Sequence, residues 1–577
     1  MKKIMYFVVV MTSAAILQCC STDDPISDFY DNNSSYNGSS SIATDGNTAT
    51  GSSELTTFDV AIDQTTAEPA STVAEYFPDS EDDLSNNSFT TEVSIDLSNP
   101  TAKTENGVTI TVNGGHVTAN HGSTKSVCYV VSGSTSNGSF TVVGDKKYEV
   151  KLNNVSITNP DSAALNLLSS KRAYVVLNGN STLTDGTSSL NDHKGTLYCK
   201  GKLLLNGTGS IKVTGNYNNA IHCADYIVTR SGINIYAKST ANHGVKANDG
   251  IYINGGILNV EVSAAAAKGI NCEADIMVNG GRTTVIATGG GAVEDGEAKG
   301  AAAIKCDSTY TQNGGEVYLK ATGTGGKGLK ADWEGYINGG TLKIVTTGNT
   351  YSYNRDTASP KGIKIGTKNV HGVLDINGGT VMVRTSGAGG EGIESKGTLS
   401  INDGTVQVSA YDDAINSASH MYIKGGAITA VGTSNDGLDA NGNMYISGGT
   451  IVAFGAGGAE TGIDIGEQYK LYITGGYIFG IGGRIDASIG STSQGVVSTS
   501  GSVTGNSTVT VSNGSATIAT FAMPPYNYSN GTIMVSAPDM ASGTSYTLNL
   551  GSSSQTVTAS NSVSGSMGGG MPGGGRR

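Results

Sequence analysis

The chain is poor in several things, and each shortage excludes something. Proline is scarce, at 10 of 577 residues, and glycine does not recur at every third position, so a collagen-type chain is excluded. Lysine and arginine are absent from residues 21–90, which hold 14 Asp and Glu. The remainder holds 35 basic and 34 acidic residues, so the net charge of −13 belongs to one segment. A near-neutral body offers no basic face for nucleic acid, and no nucleic-acid partner is expected. Five cysteines remain beyond residue 20, an odd number that argues against a full disulfide framework. The seven histidines show no zinc-ligand spacing.

Glycine is abundant instead, at 83 residues, which disfavours an all-helical chain. At the start, Lys2 and Lys3 precede an apolar run from Ile4 to Leu17. This run is too short for a membrane span and reads as a signal peptide over 1–19. The sequence Leu17-Gln18-Cys19-Cys20-Ser21 resembles a bacterial lipobox with Cys20 as the lipidated residue, and Ser21-Thr22-Asp23-Asp24 resembles a surface-export tag. The expectation is an outer-membrane lipoprotein exposed at the cell surface, touching the membrane through its lipid alone. Residues 20–90 are polar and carry only negative charge, so they read as a disordered, self-repelling tether.

From about residue 91 the chain repeats. Asn-Gly-Gly or a close variant begins at Asn254, Asn279, Asn313, Asn338, Asn377, Asn402, Lys424, Ser447 and Thr474. Most copies lie near 25 residues apart, with two longer gaps that mark insertions. Each repeat holds three short alternating stretches, such as Val245-Lys246-Ala247, Ile251-Tyr252-Ile253 and Leu258-Asn259-Val260. Period-two alternation predicts half-buried strands, and Gly-Gly supplies a corner with positive φ. The expected fold is all-β: a single-stranded right-handed parallel β-helix over 91–486, with three strands and roughly 25 residues per coil. Residues 487–562 lose the period and read as a small β-domain covering the open end. A Gly-rich disordered tail is expected over 563–577, and a monomer overall.

Cys199, Cys223, Cys272 and Cys306 share the inward position of the first strand with Ala247 and Ala331, which predicts a stack of small buried thiols. The outward position beside it carries charge. The column is basic at Lys305, Lys327, Lys330, Lys361 and Lys364, then acidic at Glu391, Glu394, Asp413, Asp436 and Asp439. In register, like charges ~4.8 Å apart repel by ~3.5 kcal/mol at an effective dielectric of 20. The acidic coils therefore predict a hard cation with oxygen ligands, Ca²⁺, at Glu391, Glu394, Asp412, Asp413, Asn416, Asn435, Asp436 and Asp439. The basic coils predict an anion at Lys327, Lys330, Lys361 and Lys364. Trp333 and the insertion carrying Tyr351 and Tyr353 overhang them. Tyr422 and Tyr445 lie outward before the Gly-Gly corner, where tyrosines either stack on sugar rings or cover their neighbours.

Asp412-Asp413-Ala414-Ile415-Asn416 and Asn435-Asp436-Gly437-Leu438-Asp439-Ala440, each followed by a strand and Gly-Gly, resemble a family of secreted carbohydrate-binding β-helix proteins. Leu183-Thr184-Asp185-Gly186 and the Gly-rich Met-Pro tail share the resemblance. It implies a non-catalytic, calcium-binding cousin of pectate lyases that binds cellulose and acidic glycans. The expected function is polysaccharide binding. The alternatives are a calcium-dependent pectate-type lyase with Lys364 or Lys361 as base, and a structural or adhesive surface rod.

Overall fold

The computed structural model describes residues 53–370 and 372–562. The signal peptide, Cys20 and the Gly-rich tail lie outside the described residues.

The fold is all-β and β-helix-like, built on two long sheets of thirty and sixteen strands. Alternation decides the direction of each side chain. In Val245–Ala247, Val245 and Ala247 are buried and Lys246 between them is half-exposed. The strands pair in parallel with the same strand of the next repeat. Ile221, Val245, Ile270, Ile304 and Leu329 follow one another down one row. Cys199, Cys223, Ala247, Cys272, Cys306 and Ala331 form the adjacent inward row. All four of these cysteines are free and buried, as a thiol stack requires.

The Asn-Gly-Gly corner has two parts. Its second glycine needs positive φ: at Gly340 φ is +76°, and a Cβ there would lie 2.4 Å from the Gly315 carbonyl oxygen. The asparagine contributes a ladder that its recurrence alone did not reveal. Each Nδ2 donates to Oδ1 of the asparagine one repeat earlier, through Asn254, Asn279, Asn313, Asn338, Asn377 and Asn402, at 2.6–2.9 Å. The two long gaps hold hairpins, Ala292–Glu294 with Glu297–Lys299 and Tyr351–Tyr353 with Asp356–Ala358.

The acidic segment differs from the extended tether expected over 20–90. From Ser53 it lies against the repeats. Leu55, Phe58 and Val60 share an apolar cluster with Val345, Met382 and Val431. Phe77, Leu84 and Phe89 pack on Tyr174, Leu204 and Tyr226. The body neutralises its charge: Asp82 accepts from Arg172 Nε at 2.8 Å and from the Tyr226 hydroxyl, and Glu75 and Asp83 pair with Arg230. A few apolar anchors and body-borne cations outweigh the self-repulsion read from composition.

Beyond residue 487, Val496–Val503 pairs antiparallel with Tyr528–Ser536, which pairs antiparallel with Tyr477–Gly482. A separate four-stranded antiparallel sheet comprises Thr508–Asn513, Ala516–Ala522, Ser545–Asn549 and Ser554–Thr558. Its buried Val509, Phe521 and Leu548 share a core with Phe454 and Phe479 of the repeats.

Candidate functional site

Register places the charged column as the spacing predicts. Lys305, Lys330, Lys364, Glu394, Asn416, Asp439 and Asp464 are successive partners. Beside them run Ala302, Lys327, Lys361 and Glu391. The two halves of this column have different chemistry.

The basic half lies in a groove of about 730 Å³. Nine lysines and six carboxylates line it. Both inserted hairpins contribute to its wall, through Glu294, Glu297, Lys299 and Asp356. They are tied to one another, the Ala298 N–H donating to Asp356 Oδ2 at 2.7 Å. Most of the lysines have carboxylates. Lys330 sits 2.7 Å from Asp332, Lys268 3.2 Å from Glu294, and Lys364 3.4 Å from Glu394. Lys361 pairs with Glu391 and lies 3.5 Å from Glu394, which Lys396 also contacts. Lys327 is the exception among the groove's lysines. It is 9% exposed, and its Nζ donates to the Gly325 carbonyl at 2.9 Å with no carboxylate within ion-pair distance. Burial, then the neighbouring charges of Lys364, Lys330 and Lys361, push it down to about 7.

Lysines pair with Glu391 and Glu394, while Oε2 of each is buried without a hydrogen-bond partner. Burial opposes the charge on Glu394, but Lys361, Lys364 and Lys396 outweigh it and hold the carboxyl at about 2. Lys361, expected as an alternative base, is held in its charged form. Burial is outweighed by Glu391 and Glu394, which raise its affinity for a proton. Lys364 is lowered, by burial first, with Glu394 opposing. Among the described lysines, Lys327 is lowered furthest, and a one-dimensional reading does not reveal its buried position between lysines.

The acidic half is a stack of carboxylates. Asp413 Oδ1 accepts the Asp436 N–H at 3.1 Å, and Asp436 Oδ1 accepts the Thr461 N–H at 2.5 Å. Asn416 Nδ2 donates to both Asp413 and Asp439, at 3.1 and 3.0 Å, and Asn435 donates to Asp412 at 2.9 Å. Burial first, then like-charged neighbours, push Asp439 up to about 8 and Asp436 to about 7. Asp413 rises to about 6 for the same leading reason. Carboxylate and amide oxygens are the donors calcium takes. As they stand, no three His, Cys, Asp or Glu side chains among the described residues converge to hold an ion. A bound ion therefore requires these side chains to turn.

The aromatic candidates separate too. Tyr422 and Tyr445 stack face to face at 5.1 Å and 7°, and Tyr445 on Tyr472 at 4.9 Å and 8°. Stacking covers both faces of Tyr445 and one face each of Tyr422 and Tyr472, and His420 makes T-shaped contacts with Tyr422 and Tyr445. Tyr445 thus has no free face for a sugar. Trp333 is 56% exposed and Tyr353 38% exposed, while Tyr351 packs over Gly291. None of these three lines the groove.

A family model described as "Carbohydrate-binding domain-containing protein" matches residues 104–266, 238–431 and 370–570. Among solved structures, the chain is similar to the "polysaccharide lyase-like protein from C. thermocellum, Gadolinium derivative" at 19% identity. That match covers 49% of this chain and 96% of that one, with a TM-score of 0.32. No curated protein sequence matches. The family matches together run through nearly all of the described repeats and the C-terminal sheets, and the chain belongs to the carbohydrate-binding domain-containing family.

Proposed function

We propose that this protein is a lipid-anchored surface protein that binds polysaccharide without cleaving it. The scaffold is a right-handed, single-chain parallel β-helix whose coils recur near every 25 residues. The observation that carries the reading is the groove of about 730 Å³, walled by two inserted hairpins on a chain of a carbohydrate-binding family. Its volume is that of a ligand site, and its polar lining suits a hydroxyl-rich chain. Cys20 is the anchor, and the protein acts as a monomer.

Calcium serves the acidic coils. Asp413, Asp436 and Asp439, with Asn416, would hold it, and Asp412 and Asn435 would support them. When bound, the ion neutralises carboxylates that burial and mutual repulsion leave strained in their ionised form. Lys361 and Lys364 restrict it to coils beyond Glu394.

Sedimentation with insoluble polysaccharides, with and without chelator, tests the binding claim. Failure of every acidic and neutral polysaccharide to retain the protein would remove it. One observation favours a second reading. Lys327 near 7 is an amine that can accept a proton at neutral pH, as β-elimination of a uronate requires. Ultraviolet absorbance of an unsaturated product from polygalacturonate decides this, and a flat trace returns the reading to binding alone.

A further inference from the structure

The groove shows how it would recognise a ligand, an inference that rests on the polysaccharide-binding reading. We propose that Lys327, Lys330, Lys361 and Lys364 form a direct anion subsite. It seats one carboxylate or sulfate-ester group of a glycan chain on lysine ammonium groups, without a bridging metal ion.

Three observations lead there. Parallel pairing sets Lys327 opposite Lys361 and Lys330 opposite Lys364, with Lys305 preceding Lys330. Such a stack of like charge is costly, and elsewhere along it carboxylates relieve the repulsion. At Lys327 no carboxylate lies within ion-pair distance, and Glu394 relieves it only from further off. Its amine is more than nine-tenths buried and uses one of three N–H donors, on Gly325. A buried amine among lysines is poorly suited to the empty groove and well suited to one holding an anion.

The second observation is balance. Nine lysines against six carboxylates leave the lining short of negative charge, on a body that is otherwise near neutral. The third is enclosure. The hairpins overhang the lysines, and a partly enclosed site strengthens each charge-assisted hydrogen bond. A neutral sugar would satisfy none of the excess charge. Nucleic acid would require the positive charge to continue outside the groove, and the next coils are acidic.

Binding then has a protonic signature. An anion beside Lys327 favours its ammonium form, so capture above neutral pH takes up a proton. The charged groups facing Lys327 are Lys330 on its own strand, Lys305 before it, and Lys361 and Lys364 after it. Glu391 and Glu394 lie one strand further, and Lys299 and Asp356 come from the hairpins. Two of these groups are placed near 7: Lys327, which lacks a carboxylate, and Glu391, which burial pushes up against the opposing charge of Lys361, so both contribute to the uptake.

The test is calorimetric titration of the protein at about pH 8 in two buffers of different ionisation heat, with chelator present. Polygalacturonate oligomers, dextran sulfate and unmodified dextran are the probes. At least one anionic probe binds, with proton uptake, and dextran does not. The two anionic arms tell carboxylate from sulfate. Lys327→Met reduces the proton uptake and weakens binding about tenfold or more, and Lys330→Gln weakens it with the uptake kept. Melting of Lys327→Met at or above the wild-type temperature excludes misfolding as the cause. Binding that Lys327→Met leaves unchanged overturns the subsite, as does the absence of binding to both anionic probes. In either case retention on cellulose or xyloglucan leaves the polysaccharide reading standing, and its absence removes both.

Discussion

Replacing Lys327 by methionine should stabilise the protein near neutral pH. The side chain keeps its apolar stem contacts, and the amine that lacks a carboxylate is gone. Burial and the three lysines Lys364, Lys330 and Lys361 bring Lys327 from an ordinary 10.5 down to about 7. Between those two values the folded protein binds fewer protons than the unfolded chain. Stability from this group therefore rises with pH across the window, and below 7 the full penalty is present. At pH 7 the penalty is on the order of 4 kcal/mol. Methionine removes it but leaves the Gly325 carbonyl without its donor, a loss of about 1 kcal/mol. The expected net gain is ~1–3 kcal/mol in urea unfolding at about pH 7, shrinking toward zero or reversing near pH 10. A variant less stable than wild type at pH 7, or one with an unchanged pH slope, would show that Lys327 carries no such burial penalty. The gain would also mark Lys327 as a residue kept at the expense of stability, as functional groups often are.

Further outcomes follow from the same geometry. Asp436→Asn combined with Asp439→Asn should abolish a Ca²⁺-dependent rise in melting temperature; an unchanged calcium response would remove the proposed site. In chelator, wild-type stability should fall as pH rises from about 4 to 8, because carboxylates whose proton affinity is raised on folding lose that contribution as they ionise. The double variant should show a shallower fall in the same titration. Glu394→Gln leaves Lys361, Lys364 and Lys396 sharing less negative charge and should destabilise by about 3–5 kcal/mol in urea unfolding. Asn313→Ala interrupts the ladder between Asn279 and Asn338 and should lower stability by ~1–3 kcal/mol, measured in the same way.

Most of the parallel architecture was legible because a repeated position must align with its copies. Once Val245 and Ala247 point inward, Lys246 points outward, and recurrence puts Lys305, Lys330, Lys364, Glu394 and Asp439 in one row. The Cys199-to-Cys306 row follows by the same logic. What a row does not disclose is how long side chains settle across its sign change. Lys361 and Lys364 reach forward to Glu391 and Glu394, so that two expected calcium ligands also carry lysine partners. Tyr422 and Tyr445 were placed on the right face, but coil-to-coil register turns their rings onto each other. The acidic segment misled for a different reason. Its composition is dominated by charge, whereas its docking depends on a few residues such as Leu55, Phe58 and Asp82 and on arginines far along the chain. The insertion after Asn338 was visible as a long gap, and so was the one after Asn279. That both gaps fold into hairpins over one groove needed three dimensions.

The most direct test of the account is a glycan microarray probed with the protein and with the Lys327→Met, Lys330→Gln double variant, with and without chelator. The wild type should be retained on uronate-bearing or sulfated glycans in chelator, and the double variant should lose that retention. Equal retention of both proteins, or no retention on any acidic or neutral glycan, would contradict it.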